Sequence, residues 1–391
     1  MAVNFMTYPV KVIIIHNTVA PYRHPLFEVL SKYVELTVYY CSLKHGSRMW
    51  DLFPRNYNYK YKILPRIPIK MPIIEESSVN PSIIKEIIEN RPHIIILGQY
   101  TDLTTWLAFG VSKLLRIPVI YWTEGMKEPQ SILGTISRPL RVLFVKKLSA
   151  ITVPGKLSKN YVISLGANAE KVFIAPNAID NDLFIKVSQQ YLPLKEKLRT
   201  QIGLKDRMVI LCVAQLIKRK GIEYLLHAYA KLEHEYNNLT LIIIGSGPLE
   251  GYLKDLSKSL GVRNVRFIPS GMKLDELIKF YCLADIFVLP TLEDIWAFVI
   301  NEAMACGLPV ISTSASQAAT EMIRSGENGY IIKVADSDQL YDVLKSLIQN
   351  SALRREMGEK SRRIVVQEFS VSAMVEGFLS AIKYCIKGMR K

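Results

Sequence analysis

Residues 290–311 read PTLEDIWAFVINEAMACGLPVI. The stretch is bounded by two apolar, β-branched runs, ADIFVLP (284–290) and LPVIS (308–312). Runs that are apolar on both faces belong to strands covered by helices on each side. Between them stand an acidic turn and an Ala-rich segment, which the spacing predicts as a helix starting near Phe298 and closed by Gly307-Leu308-Pro309. Strand, turn, helix, strand is the repeating unit of a parallel sheet.

The same rhythm extends outward. GYIIK (329–333) follows, and VRFIP (265–269), LTLIIIG (239–245) and MVILCV (208–213) precede. An earlier series comprises VKVIII centred on 11–15, HIIIL (93–97), PVIYW (118–122), AITVP (150–154) and KVFIAP (171–176). Each series reads as a doubly wound α/β domain with a parallel sheet. Between them, roughly residues 180–206 are polar and open with the turn-like PNAIDND, which marks an interdomain linker. The expected division is a Rossmann-like domain over 1–185, joined by a basic C-terminal helix over 370–391, and a second Rossmann-like domain over 186–369. Ligands of such sheets sit outside the carboxyl ends of the strands, so two facing sheets are expected to enclose a cleft.

Composition narrows the function classes. At about 150 residues per domain, 391 residues indicate two or three domains. With 49% apolar and 22% charged residues, the chain has ample material for large cores and is not disordered. Cys41, Cys212, Cys282, Cys306 and Cys385 lie far apart and are odd in number, so neither a disulfide framework nor a zinc site is expected. The formal charge of +15 is concentrated in front: residues 1–195 hold 24 Lys and Arg against 13 Asp and Glu. Such a field favours phospholipid, nucleic acid or a phosphorylated substrate. Nucleic acid is disfavoured, because acids interleave the bases and no reader module is recognised. No apolar run approaches the roughly 20 residues of a membrane span, and the start, MAVNFMTYPVKVIIIHNTV, does not read as a secretion signal. A cytoplasmic protein is expected, possible partners including an anionic membrane surface on which it would lie.

Three strand-ending loops hold residues that suit an anionic ligand. A helix N-terminus at a strand's carboxyl end offers free backbone N–H groups and a favourable dipole to phosphate, and the segment at Phe298 and Val299 supplies one. Glu302 lies one turn in, too deep to cap the helix, and its carboxylate would accept hydrogen bonds from the vicinal hydroxyls of a ribose. Asp294 stands eight residues earlier, on the turn. The alternative for both is a solvated turn and a surface helical Glu. In VAQLIKRKGIEYLLHAYAKL (213–232), Lys220 precedes a helix and would neutralise a diphosphate; the alternative for Lys218, Arg219 and Lys220 is a solvated basic loop. In IIIGSGPLEGYLKDL (242–256), Gly245 and Gly247 would allow close approach of backbone to ligand. This run is not GxGxxG, and Asn17-Thr18-Val19-Ala20-Pro21-Tyr22-Arg23 stands where a glycine loop would follow the first strand, which argues against a dinucleotide-dependent dehydrogenase.

Together with PNAID at 176–180, these blocks resemble family 4 of the glycosyltransferases, retaining enzymes of the GT-B architecture. The resemblance runs over roughly residues 150–370 and rests chiefly on Pro290–Ile311, which matches the family's acidic residue, seven spacers, Glu. It implies an N-terminal domain that binds acceptor and a C-terminal domain that binds a nucleotide-sugar donor. Glu302 would hold the ribose, Asp294 the donor sugar's hydroxyls, the amides of Phe298 and Val299 the diphosphate, and Lys220 its phosphates. Gln215 and Arg219 belong to the same donor loop. The nucleobase would lie near Ile268, Pro269, Gly245 and Gly247. On the acceptor side stand His16, Arg23 and His24.

The chain departs from the family pattern in places. Asp294 stands where Glu is usual, Gln215 where an arginine usually accompanies the lysine, Glu124 where the strand PVIYW usually leads to a histidine, and Ala318-Ala319 where a glycine pair is frequent. Glu124 would take an acceptor proton or bond the transferred sugar, or serve as a structural turn residue. The implied reaction moves a hexose from a nucleotide diphosphate sugar to a hydroxyl on a lipid-linked or glycan acceptor, in cell-surface polysaccharide or glycoconjugate synthesis. No cofactor is expected beyond the donor. No metal is expected either: Asp180-Asn181-Asp182 falls in the linker motif and Asp336-Ser337-Asp338 reads as a helix N-cap. The alternatives are a catalytically silent nucleotide-sugar-binding partner of another glycosyltransferase and a nucleotide-sugar epimerase. Residues 134–148, GTISRPLRVLFVKKL, read either as a basic amphipathic helix for an anionic bilayer or as a packed helix with its cationic stems over the domain surface.

Overall fold

The computed structural model describes residues 9–43, 57–71, 74–98, 102–128 and 137–389. The first eight residues of the chain and residues 134–136 of the basic stretch lie outside them. Two compact units form, Met1–Pro176 with Val371–Lys391, and Asn177–Ser370.

The first unit holds β1 (Lys11–Thr18), β2 (Glu35–Ser42), β3 (Lys60–Ile63), β4 (Ile67–Met71), β5 (Ile74–Val79), β6 (Ile94–Leu97), β7 (Val119–Trp122), β8 (Ala150–Val153) and β9 (Val172–Ile174). Seven of them make a parallel sheet in the order β3-β2-β1-β6-β7-β8-β9, while β4 and β5 pair antiparallel. Every residue of β6, β7 and β8 is buried, as continuous aliphatic runs require when helices cover both faces. The helix Val371–Met389 packs on β8 and β9 and sets Phe378 edge-on to Trp122 at 5.1 Å. The helical run Ser351–Met389 is long and apolar enough, by length and composition, to cross a membrane. The apolar side chains of its second helix, among them Met374, Val375, Phe378 and Ile382, are buried in the first unit.

The second unit holds β10 (Met208–Val213), β11 (Leu239–Ile244), β12 (Val265–Ile268), β13 (Ile286–Leu289), β14 (Val310–Thr313) and β15 (Gly329–Ile332), all parallel, in the order β12-β11-β10-β13-β14-β15. One face packs Leu211, Ile242 and Phe287 with Tyr281, Ile300 and Met304; the other packs Ile210, Ile243 and Val288 with Leu225, Tyr229 and Leu344. Strand order reverses between β10 and β13. Such a switch point opens a crevice at the carboxyl ends of the two central strands, so the loops after β10 and β13 line the place where a ligand fits this topology.

Three of the loops at that edge are fastened by backbone contacts. Gly245 follows β11, and a Cβ there would stand 1.8 Å from the Ala214 carbonyl oxygen; at Gly247 it would stand 2.5 Å from that of Leu216. The bonds Leu216 N–H to Ser246 O (3.1 Å) and Leu249 N–H to Leu216 O (3.0 Å) hold the crossing. Backbone of the β10 loop therefore occupies the Cβ positions of these glycines, a loop crossing that the sequence reading did not foresee. Gly221, at φ +62°, likewise faces the Pro290 carbonyl, 2.2 Å from its Cβ position, and Leu292 N–H bonds Arg219 O at 2.8 Å.

The division between units falls at 176/177 rather than 185/186, and the supposed linker is structured. Asn181–Tyr191 and Lys195–Gln201 are helices of the second unit. Asp180 caps the first by accepting from Leu183 N–H at 3.0 Å. Asn181 is buried and donates to the Val365 and Phe369 carbonyls at 2.9 and 3.0 Å. The second helix is tied down by Asp285, whose carboxylate accepts from Lys195 Nζ at 2.9 Å, from Arg199 and from Val209 N–H at 2.8 Å. Polar composition misled because these polar groups bond inward. The sequence pattern also passed over β2, where Glu, Thr and Tyr interrupt the aliphatic run, and the fully exposed edge strand β3.

Two stability predictions follow from these contacts. Burial pushes the Asp285 carboxyl up, but the charges of Lys195 and Arg199 outweigh it and hold it below the ordinary value. Its contribution is therefore present above the ordinary carboxylate pKa and lost as pH falls through the depressed one. Asp285→Ala, which strands two cations, is expected to cost roughly 3–5 kcal/mol in urea unfolding at pH 7, with a smaller difference in acid. Gly245→Ala is expected to cost roughly 3 kcal/mol by the same measurement, since its methyl meets backbone that cannot rotate away.

Candidate active site

The helix Phe298–Ala305 begins after β13 with Ala297 at its N-cap, so no side chain caps it. Its N-terminus presents the half-buried Phe298 and Val299, and its C-terminal end is met by Arg362, whose Nε donates to the Ala305 carbonyl at 3.1 Å. The cation complements the negative end of the dipole. Glu302 lies on the turn between, half-buried, and its Oε2 accepts from the Tyr281 hydroxyl at 2.7 Å. Burial pushes the Glu302 carboxyl up to about 7, and the tyrosine hydrogen bond offsets only part of that. Glu302 is thus neither turned into water nor packed behind the sheet. It is a carboxylate close to its titration point at neutral pH.

Lys220 ends a 3-10 turn, Lys218–Lys220, and is almost wholly buried. Its Nζ pairs with the Asp294 carboxylate, itself buried, and Arg219 stands 3.9 Å from the other oxygen of that carboxylate. The sequence named Lys220 and Asp294 for different parts of a ligand and did not foresee that they hold one another. Asp294 is fixed through its backbone as well, bonding Ala315 O at 3.1 Å. Gln215 is exposed, Ile268 is half-buried at the end of β12, and Pro269 is exposed beside it. Ala318 and Ala319 are fully buried in the helix Gln317–Met322, capped by Ser316, so the glycine pair expected there is replaced by packed helix.

In the first unit, Arg23 and Glu124 form an ion pair. The Arg23 guanidinium also lies over the Trp122 ring, 4.6 Å from its centroid. His16, at the end of β1, is buried, with Nδ1 2.9 Å from the Thr18 carbonyl. His24 stacks on Tyr57 at 3.9 Å, and its Nδ1 lies 2.5 Å from the Tyr59 hydroxyl. The acceptor-side residues named from the sequence therefore gather at one edge of the first sheet, each engaged within that unit. Tyr57 and Tyr59, from YNYKY, were missed by sequence reasoning; three alternating tyrosines were the available signal.

The first aspartate of each acidic triplet is an N-cap: Asp180 bonds Leu183 N–H and Asp336 bonds Gln339 N–H at 2.8 Å. Among the described residues no three His, Cys, Asp or Glu side chains cluster as metal ligands would.

Residues 195–364 match the family model of glycosyl transferases group 1. Among curated proteins, the chain is 28% identical over 284 residues to the GDP-mannose-dependent alpha-(1-6)-phosphatidylinositol monomannoside mannosyltransferase of Mycolicibacterium smegmatis, covering 68% of this chain and 72% of that one. It is 32% identical over 196 residues to Bacillus subtilis spore coat protein SA, covering 48% of this chain and 51% of the relative. An uncharacterized glycosyltransferase of Haemophilus influenzae is matched over 50% of its length, so the chain spans about half the length of several curated relatives it matches. Anabaena HepE, crystallised with UDP and glucose, superposes with a TM-score of 0.72 at 18% identity, covering 96% of this chain and 99% of HepE. A glycosyltransferase from Rickettsia africae superposes at 0.78 and 16% identity, with 97% and 100% covered. Two parallel-sheet units of this topology give the chain the GT-B fold, and the larger part of its second unit is similar to glycosyl transferases group 1.

Proposed function

We propose that the protein transfers a hexose from a nucleotide diphosphate sugar to a hydroxyl acceptor, with retention at the anomeric carbon and without a bound metal. The observation that carries this reading is the carboxylate of Glu302, held in a partly dry site one turn inside an uncapped helix N-terminus at a sheet switch point. The amides of Phe298 and Val299 meet the diphosphate, as a helix N-terminus favours. A ribose beyond it donates its two hydroxyls to Glu302. Lys220, whose pairing with Asp294 keeps it at this edge, turns its charge to the departing phosphate, and Asp294 takes hydroxyls of the donor sugar.

In the reaction the bond from the anomeric carbon to the phosphate oxygen breaks and a bond to the acceptor oxygen forms on the same face. Positive charge develops on the sugar ring and negative charge on the departing diphosphate; Lys220 and the helix N-terminus stabilise the latter. The acceptor's proton passes to the departing phosphate, so no side chain serves as covalent nucleophile. The Arg23–Glu124 pair, with His16 and His24, belongs to the acceptor side. The mannosyltransferase relative named for GDP-mannose and the HepE complexes with UDP support a nucleoside diphosphate donor.

A cytoplasmic site of action at an anionic membrane surface fits the first unit. Its helix Arg138–Lys146 exposes Leu140 and Leu143, and Leu114, 84% exposed, lies on the neighbouring helix, joined to it by the Phe109–Phe144 contact. Lys113, Arg116, Lys146 and Lys147 are exposed on or just beyond the same two helices, while Arg141 is buried and bonds Glu128. The described part of the basic stretch has one face packed and one face exposed, and the exposed face supports the membrane reading. The protein is expected to cosediment with phosphatidylglycerol vesicles and not with phosphatidylcholine vesicles, and to lose this at high salt; equal binding to both would contradict the assignment.

Glu302→Ala is expected to keep the fold and lose transfer in a screen of labelled UDP-, GDP- and ADP-sugars; wild-type rates in that variant would refute the assignment. Tight nucleotide binding with no turnover in the native chain would support the silent-partner reading, and product without acceptor the epimerase. The hydroxyls bond the ionised carboxylate, so binding draws its pKa down from about 7. Nucleotide affinity is therefore expected to rise as pH climbs from about 6 to 8 and then level off, and Glu302→Gln to flatten the profile in calorimetric titrations.

A further inference from the structure

We infer that Tyr281 is a positioning residue for Glu302: its hydroxyl fixes which carboxylate oxygen is left for the ribose and favours the charged form of that carboxylate. The inference rests on the reading that Glu302 receives the ribose. Tyr281 touches no ligand in this account and acts only through the carboxylate.

Tyr281 stands at the end of the helix Leu274–Leu283 and is wholly buried. Its ring lies 5.8 Å from that of Phe287 on β13, itself wholly buried, so the phenol cannot swing aside without opening a cavity. The hydroxyl reaches Glu302 Oε2 at 2.7 Å. Among the described residues the Glu302 carboxylate has no other hydrogen-bond partner. A carboxylate offers about four lone-pair positions; with one taken on Oε2, the rest, including both on Oε1, are left for two vicinal hydroxyls.

The tyrosine is a donor that does not switch off. Burial, and after it the neighbouring Glu302, pushes the phenol well above its ordinary pKa, so it keeps its proton throughout the working range. The same bond draws the Glu302 carboxyl down against its burial. Burial and this bond are the two influences on the Glu302 carboxyl among the described residues. Cys306, one turn along the same helix, is pushed far up by burial and stays neutral. Cys282, the neighbour of Tyr281, lies against Cys306. The Arg362 guanidinium is bonded to the Ala305 carbonyl and to Ser188.

The experiment is a carboxyl titration in the ligand-free protein with ¹³C-labelled glutamate, the Glu302 signal assigned by its absence in Glu302→Gln, alongside calorimetry with UDP and with GDP at pH 6 to 9. Tyr281→Phe keeps the ring and is expected to move the Glu302 midpoint up by about one pH unit. Affinity for the nucleotide that binds is then expected to fall about fivefold at pH 7 and to converge on wild type by pH 9. An unmoved midpoint, or a loss of affinity equal at every pH, would overturn the inference and leave Tyr281 a core residue. Should Tyr281→Phe fail to fold, a fluorinated tyrosine at 281, a stronger donor, is expected to move the midpoint down; no movement would again overturn it. Unchanged affinity in Glu302→Ala would instead sink the ribose reading alone, because the titration decides the coupling without nucleotide.

Discussion

A carboxylate taken out of water must find hydrogen bonds or neutralise itself, and the second unit keeps Glu302 between these outcomes. One fixed hydroxyl meets it where a fully stabilised carboxylate would have two or three donors, and among the described residues no cation is paired with it. The result is an acid whose charge is held back, up to about 7, until further donors arrive. A group in this condition contributes nothing to folding. Relative to the unfolded chain it costs stability as pH rises from the ordinary carboxylate value through the raised one, and it survives because the helices of Tyr281 and Glu302 are locked into one core. Perturbed acids of this kind concentrate at functional sites.

Around that acid, the edge of the sheet is built with little freedom. Loops after β10, β11 and β13 cross at backbone distance, so displacement of one displaces the others. Lys220 and Asp294 are buried as a pair, which lets the unit carry a cation at the proposed diphosphate position without leaving it uncompensated. The first unit repeats the device with Arg23 and Glu124, where the guanidinium is further covered by Trp122. In both units charged groups wait in pairs, and a ligand's own charge or hydroxyls can exchange for one partner.

Much of this was legible from residue order alone. Continuous aliphatic runs marked β1, β6 to β9 and β10 to β15, because strands covered on both faces leave no polar position to confuse the pattern. The glycine-closed helix after ADIFVLP placed Glu302 and the helix N-terminus, since strand-loop-helix geometry is local. What stayed hidden was long-range or inward-facing. The Lys220–Asp294 pair joins residues 74 positions apart and the Tyr281–Glu302 bond joins residues 21 apart; no spacing rule connects them. Residues 180–206 looked like a linker because their polar side chains, Asn181, Lys195 and Arg199, are used inside the unit. The GSG turn was read for ligand approach alone, and the need of its glycines for a neighbouring loop joins residues about 30 positions apart, beyond any spacing rule.

The most direct measurement is a crystal structure of the chain with the nucleoside diphosphate that stabilises it most, at a pH near 8 where Glu302 is charged. The account predicts both ribose hydroxyls within hydrogen-bond distance of the Glu302 carboxylate, Tyr281 still donating to its Oε2, and the diphosphate against the amides of Phe298 and Val299. A nucleotide bound elsewhere on the second sheet, with Glu302 bonded to Tyr281 alone, would contradict it.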